Sequence, residues 1–168
     1  MRKNSLIVCY SYSGNTRRIA ETIRRLTDGT YSRIYPRQPY PADFERLLEQ
    51  VRKENQSGIF PSLLPLTERA DGYDIIFAGT PNWCGTIAPP LAAWLRENDL
   101  TGKILLPFFS HCGGEAKGME QAVRELCPDA KVGSSLYVLE NRRENLEETV
   151  RIWLEQNGCE FREGRKEA

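Results

Sequence analysis

Residues 6–16 read LIVCYSYSGNT, and this stretch decides the fold. It begins with a short apolar run, which is typical of a strand buried on both faces. Hydroxyl and amide residues follow, and then a helical pattern in which Ile19, Ile23 and Leu26 share one face. The free backbone N–H groups at the start of such a helix attract anions. The stretch therefore predicts a strand, an anion-binding loop and a helix in succession.

The rest of the chain repeats this alternation. Apolar runs at 30–35, 73–78, 103–109 and 132–139 predict four further strands. Helical spacing of apolar residues follows each of them, and Pro89-Pro90 suits the first turn of one of these helices. Strands and helices in alternation predict an α/β fold with a parallel sheet, right-handed crossovers and helices on both faces. We expect one domain over 1–168, with a charged, frayed tail at 162–168.

Composition narrows the function classes. The chain has 168 residues with 40% hydrophobic content, which suits one folded domain. Its 23 basic and 23 acidic residues balance, and this speaks against nucleic-acid binding through bulk positive charge. No apolar run approaches the roughly 20 residues of a membrane helix. The five cysteines include no C-x-x-C pair, so we expect reduced thiols, a cytoplasmic chain and no metal site.

Three loops follow the carboxyl ends of predicted strands, at 11–16, 80–86 and 110–114. Ligands of open parallel sheets bind at this edge. The first loop lacks the glycine patterns of Walker and dinucleotide loops. A small tyrosine phosphatase would need an arginine six residues after Cys9, where Asn15 stands, and residues 9–13 lack the carboxylates of a response regulator. A phosphate cradle and an ordinary turn that caps a helix both remain open.

The first loop resembles the phosphate-binding signature of flavodoxins, with serine or threonine at its first, third and sixth positions and glycine at its fourth. The stretch from 79 to 91 is similar to the second flavin loop of short-chain flavodoxin-like proteins, and 103–114 resembles their fourth strand and third loop. Tyr40-Pro41 also fits this group. The resemblance spans 5–155. It implies a flavodoxin-like three-layer sandwich with a five-stranded parallel sheet in the order 2-1-3-4-5, and FMN as the cofactor.

The resemblance also implies which residues contact FMN. The first loop would hold the phosphate, and the second and third would line opposite sides of the isoalloxazine ring. Trp83 would stack on the ring, and His111 is the candidate catalytic residue, as a proton donor or a stabiliser of negative charge. The implied cofactor-binding residues are Ser11, Tyr12, Ser13, Gly14, Asn15 and Thr16 in the first loop, Thr80, Pro81, Asn82, Trp83, Cys84 and Gly85 in the second, and Ser110, His111, Cys112, Gly113 and Gly114 in the third.

Each of these interpretations has a structural alternative. Trp83 could be a packed aromatic residue, and His111 a loop residue that only forms hydrogen bonds. Cys84 and Cys112 could form a redox pair or pack as small side chains. Tyr12 could cover the ribityl chain or face solvent. The arginines that start the first helix could attract the phosphate or form a solvated face; Trp94 and Trp153 are expected in the core.

The resemblance leaves the reaction open. A non-covalently bound FMN suits electron transfer with a redox partner protein, or an FMN-dependent reductase that uses NAD(P)H and a quinone or another small acceptor. Carrier flavodoxins are acidic as a family, so the net charge of zero weakens the carrier interpretation. A cofactor-free anion-binding or regulatory module is a lesser alternative. A homodimer remains open, and the irregular stretch 55–72 could cover the sheet edge, form a dimer contact or shape a substrate pocket.

Overall fold

The computed structural model describes residues 3–114, 116–142 and 144–162, in which strands and helices alternate. A single 3-10 turn, Ala70–Gly72, precedes the third strand. The elements in chain order are β1 Ser5–Cys9, α1 Asn15–Thr27, β2 Thr30–Arg33, α2 Phe44–Ser57, β3 Ile75–Trp83, β4 Thr86–Ile87, α3 Pro89–Glu97, β5 Ile104–His111, α4 Lys117–Leu126, β6 Lys131–Val132, β7 Leu136–Leu139 and α5 Leu146–Gln156.

The sheet is parallel in its main body and has the order β2-β1-β3-β5-β6. β7 also pairs with β5, beyond β6 and nearer to the carboxyl end of β5. The α/β fold and the order 2-1-3-4-5 are confirmed if β6 and β7 count together as the fifth strand. The additional strand β4 pairs with β3 in an antiparallel hairpin that the sequence did not predict.

The fifth strand, expected to be continuous over 132–139, is interrupted at 133–135. Side chains of the last helix and of the turn after it bond to the interruption. The Asn157 Oδ1 atom accepts the N–H of Ser134 at 3.0 Å, and the Trp153 indole donates to the Ser134 carbonyl at 2.7 Å. The N–H and C=O groups of Ser134 thus bond to side chains instead of to a neighbouring strand. Because these side chains are distant in sequence, the apolar run alone could not reveal the break.

Two apolar clusters lie on opposite faces of the sheet. Each joins the sheet to one of the two helical layers of the sandwich. One cluster joins the sheet to α1 and α5 and includes Ile19, Ile23 and Trp153. The other joins it to α2, α3 and α4 and includes Val51 and Trp94. Both tryptophans are buried, as the helical spacing predicted.

The stretch 55–72 continues α2 to Ser57 and then runs irregularly to the 3-10 turn. Its backbone pairs with the segment that follows β2: Leu64 N–H donates to the Tyr35 carbonyl, and Arg37 N–H donates to the Ser62 carbonyl, both at 2.8 Å. Of the three expectations for this stretch, covering the edge beside β2 matches these contacts. It also lines a cavity of about 390 Å³ beside Asp99, at the amino end of the sheet.

Arg162, the first residue of the expected frayed tail, contacts the end of α1 and the residue after it. Arg162 donates its N–H to the Leu26 carbonyl and forms an ion pair with Asp28, each at 2.8 Å. Residues 163–168 lie outside the described part of the chain. Within the described ranges, no helix is both long enough and apolar enough to span a membrane.

Candidate functional site

The structure brings the three predicted segments to one edge, because they lie at the carboxyl ends of the neighbouring strands β1, β3 and β5. Two predicted loop bounds are wrong: β3 continues to Trp83 because it pairs with β4, and β5 continues to His111 because it pairs with β7. A hydrogen bond of 2.7 Å between the hydroxyls of Thr16 and Ser110 joins the first loop to the third. The rings of Tyr12 and Trp83, with centroids 5.6 Å apart, join the first loop to the second. The predicted residues are therefore brought together at the carboxyl ends of the strands, some of them exposed and others, such as Thr16 and Thr80, buried.

The first loop is held in a defined shape by its own side chains. Gly14 N–H donates to the Ser11 hydroxyl at 3.1 Å, and the Asn15 amide donates to the Ser13 hydroxyl at 3.1 Å. Gly14 has φ 96°, a left-handed conformation that glycine adopts without strain, and no side chain caps α1. The first backbone N–H groups of α1 therefore remain available to an anion from outside the helix.

Thr16 contributes differently from what the loop pattern predicted. Its side chain is buried, and its hydroxyl is bonded to Ser110 on β5, below the loop. Thr16 thus fixes α1 against the centre of the sheet. The structure shows no role for its hydroxyl at the surface, so contact with a phosphate through its backbone N–H stays a prediction.

The segment 80–86 contains the end of β3, a two-residue turn at Cys84 and Gly85, and the start of β4. Cys84 and Gly85 have φ values of 57° and 80°, as in the two-residue turns that suit hairpins. The Asn82 Oδ1 atom accepts the N–H of Gly85 at 3.0 Å and steadies the turn. Thr80 is fully buried, and its hydroxyl accepts the N–H of Ala88 at 2.9 Å, immediately before α3 begins.

Trp83 is half-buried against three tyrosine rings. Its centroid lies 5.4 Å from that of Tyr10, 5.6 Å from Tyr12 and 5.1 Å from Tyr40, with interplanar angles between 75° and 85°. Edge-to-face packing of this kind is a favoured geometry for aromatic pairs. The tyrosines therefore fix the plane of the indole at the edge where the three loops meet.

Glu54 holds one of these aromatic residues, Tyr40, through a hydrogen bond. The Tyr40 hydroxyl donates to Glu54 Oε2 at 2.7 Å, and Gln50 donates to the other carboxylate oxygen at 3.0 Å. Burial first, and the Glu54 carboxylate second, raise the pKa of Tyr40. Sequence reasoning missed Tyr10 and Glu54 as supporting residues; the position of Tyr10, directly before the first loop, was the available clue.

The third loop contains the single histidine. Gly113 N–H donates to His111 Nδ1 at 3.1 Å, so a neutral imidazole there carries its proton on Nε2. The Cys112 thiol donates to Glu140 Oε2 at 3.1 Å, and this bond is the main reason that the pKa of Cys112 is raised. Cys84 and Cys112 are exposed, and neither is in a disulfide.

The first arginines of α1 and Tyr12 differ in their hydrogen-bond partners. Arg17 is exposed and forms an ion pair with Glu21 at 2.9 Å, as a solvated helix face would. Arg18 is half-buried, and within the described residues its Nε and one terminal nitrogen have no hydrogen-bond partner. Tyr12 is 47% exposed and donates its hydroxyl proton to the Pro41 carbonyl at 3.1 Å. Tyr12 therefore packs between Trp83 and the chain that leads to α2.

Comparison with known proteins places this geometry among related folds. The sequence model of the family described as Flavodoxin matches residues 4–157. A flavoprotein from Lactobacillus acidophilus, solved in complex with FMN, is 24% identical with TM-score 0.73, over 80% of this chain and 93% of that one. A provisionally assigned flavoprotein from Bacteroides uniformis is 22% identical with TM-score 0.78, over 90% and 99%.

A third solved structure is more distant. An NADH:FMN oxidoreductase in its apo form is 14% identical with TM-score 0.55, over 89% of this chain and 88% of that one. No curated protein sequence matches the chain. The three likenesses concern the fold, since all the identities lie below 25%.

Proposed function

Because the chain belongs to the flavodoxin family, we propose that it is an FMN-binding protein that transfers electrons through the non-covalently bound flavin. One observation carries this proposal: the segments 11–16, 80–86 and 110–114 contact one another at the carboxyl ends of neighbouring strands, next to the start of α1. The FMN complex of the Lactobacillus acidophilus flavoprotein, which has the same fold, supports the choice of cofactor.

The first loop has the donor chemistry that a phosphate requires. The hydroxyls of Ser11 and Ser13, the amide of Asn15 and the free N–H groups of α1 are all hydrogen-bond donors. Residues 11–16 include no carboxylate, so no negative charge within the loop opposes an anion. The residues present therefore fit the phosphate of FMN, and the fixed shape of the loop reduces the ordering that binding would require.

The second and third loops fit the ring of a flavin. Trp83 offers an aromatic surface whose plane the tyrosines fix. Gly85, Gly113 and Gly114 allow close approach of the backbone, whose N–H and C=O groups match the polar edge of an isoalloxazine. Bound FMN supplies one-electron and two-electron chemistry. The residues of this chain bind and orient the flavin, and His111 Nε2–H is the candidate proton donor.

An anaerobic spectral titration tests this function. We expect purified protein to bind added FMN and to show a shifted flavin band that persists with NADPH. Dithionite should then bleach the band in two resolved one-electron steps. A flavin spectrum identical to that of free FMN would contradict the proposal and would favour a cofactor-free module.

An FMN-dependent reductase that takes electrons from NAD(P)H is the second candidate. The formal net charge of zero favours it, because a carrier that docks to a basic partner gains from an acidic surface. The oxidoreductase with the same fold is consistent with this alternative. Rapid bleaching of the bound flavin by NADPH, followed by turnover with a quinone, would select the reductase.

A further inference from the structure

Arg33 connects the edge strand of the sheet to the first loop. It is the last residue of β2 and lies beside Cys9, the last residue of β1. One terminal nitrogen of its guanidinium donates to the Ser11 carbonyl at 3.1 Å. Its guanidinium carbon lies 4.9 Å from the centroid of the Tyr35 ring, which holds the side chain on one side. The cation is therefore fixed next to the proposed phosphate loop.

The positive charge of Arg33 is not neutralised within the described residues. None of their carboxylates forms an ion pair with it. Its Nε is shielded from solvent and has no hydrogen-bond partner in the described part of the chain. A guanidinium nitrogen that is shielded from solvent and has no hydrogen-bond partner is unfavourable, because its lost hydration is not replaced. By contrast, Arg17 at the same loop is paired with Glu21.

Arg33 also fixes the backbone that precedes the helix. The Ser11 carbonyl accepts from Arg33, while the Ser11 hydroxyl accepts the N–H of Gly14. These two bonds fix the backbone carbonyl and the side-chain hydroxyl of Ser11, a buried residue, and so set the path of the loop into α1. Loss of the guanidinium would leave the Ser11 carbonyl without this hydrogen bond.

We propose that Arg33 is a positioning residue of the phosphate loop and that its charge makes the site select a phosphate-bearing flavin over riboflavin. The inference rests on the proposed FMN function and assigns a residue outside the loop pattern to it. A phosphate monoester carries nearly two negative charges at neutral pH, so a fixed cation beside its loop favours binding. Riboflavin has the same ring and no phosphate, and it gains nothing from that charge.

Paired titrations of apo-protein with FMN and with riboflavin test the proposal. The variants are Arg33→Met, Arg33→Lys and the control Arg37→Met, an exposed arginine after the same strand. We expect Arg33→Met to weaken FMN binding about tenfold and riboflavin binding less than about twofold. Raising the salt from about 0.05 M to about 0.5 M should weaken FMN binding less in Arg33→Met than in wild type. The ³¹P resonance of bound FMN should also shift in both Arg33 variants.

The outcomes separate the two proposals. Wild-type protein that binds no FMN would overturn the proposed function and this inference with it. Wild type that binds FMN, with Arg33→Met equal to it or weakened equally for both flavins, would overturn the role of Arg33 alone. If Arg33→Met does not fold, Arg33→Lys keeps the charge but not the planar fork. Unchanged FMN affinity together with an unchanged ³¹P resonance in a folded Arg33→Lys would then contradict the positioning role.

Discussion

At the scale of single residues, the neighbouring Glu140 disfavours the reactive thiolate form of the exposed Cys112. Its thiol donates a hydrogen bond to the Glu140 carboxylate, and this bond and the negative charge of the carboxylate disfavour the thiolate. The pKa of Cys112 is therefore raised, so a smaller fraction of this thiol is ionised at a given pH than of an ordinary cysteine. Proximity to the flavin loops does not by itself make this cysteine a nucleophile.

Glu140→Gln should make Cys112 more reactive. Without the carboxylate the pKa of Cys112 falls, so at pH of about 8 we expect alkylation by iodoacetamide about two to five times faster. The comparison uses a Cys84→Ser background with peptide mapping by mass spectrometry. Cys9 and Cys127 interfere little, since burial raises their pKa values to about 12 and about 11. Glu144→Gln is the matched control; equal rates in all three proteins would refute the role of Glu140.

Trp83 allows a second test at this scale. Replacing it by alanine should weaken FMN binding about fivefold and restore part of the fluorescence that a stacked indole quenches. Trp94→Phe, a change of a buried residue that the flavin loops do not include, serves as control for general destabilisation. Equal fluorescence of the bound flavin in wild type and Trp83→Ala would show that the indole does not stack on the ring.

At the scale of elements, the close approach of α4 to the second loop matters for the site. A Cβ on Gly118, in the first turn of α4, would come too close to the carbonyl oxygen of Gly85. The helix therefore depends on glycine at 118 to approach the turn, while Gly85 itself has φ 80°, a conformation that favours glycine. A shift of either element would move the wall that we assign to one side of the flavin.

Gly118→Ala should therefore weaken FMN binding by about threefold to tenfold while the melting temperature of the apo-protein changes little. Alanine favours the helix by about 1 kcal/mol, and this gain offsets part of the clash. Isothermal titration and thermal unfolding measure the two effects. Gly72→Ala, where a Cβ meets open space, is the control. Equal FMN affinity in Gly118→Ala and wild type would contradict this coupling.

The contrast between what the sequence predicted and what it missed is clearest among the elements. The strands and helices follow local apolar spacing, so β1 and α1 were predictable from one stretch. The break at Ser134 depends on Trp153 and Asn157, which are distant in sequence. Likewise, the loop pattern indicated the candidate site, but Arg33 and Glu54 contact its residues through tertiary contacts that no motif contains.

At the scale of the whole molecule, ligand binding and stability are linked. FMN that binds only the folded state should raise the melting temperature by about 5–10 °C when its concentration is about a hundredfold above Kd. The phosphate loses one charge below its second pKa of about 6, so this stabilisation is full at neutral pH and declines as the pH falls through that value. Thermal unfolding at pH of about 7.5 and about 5 measures it. Riboflavin should show no such decline, and the same decline with both flavins would exclude the phosphate as its cause.

The place of β3 between β1 and β5 has a consequence for hydrogen exchange. The amides of Ile76 to Gly79 lie between two paired strands and beneath buried side chains on both faces. They would exchange with deuterium only when the whole chain unfolds, whereas the amides of the three loops at the same edge would exchange by local opening. Binding of a cofactor would therefore slow amide exchange in the loops. The amides at the centre of the sheet would report the rate of global unfolding in the same experiment and serve as the internal reference.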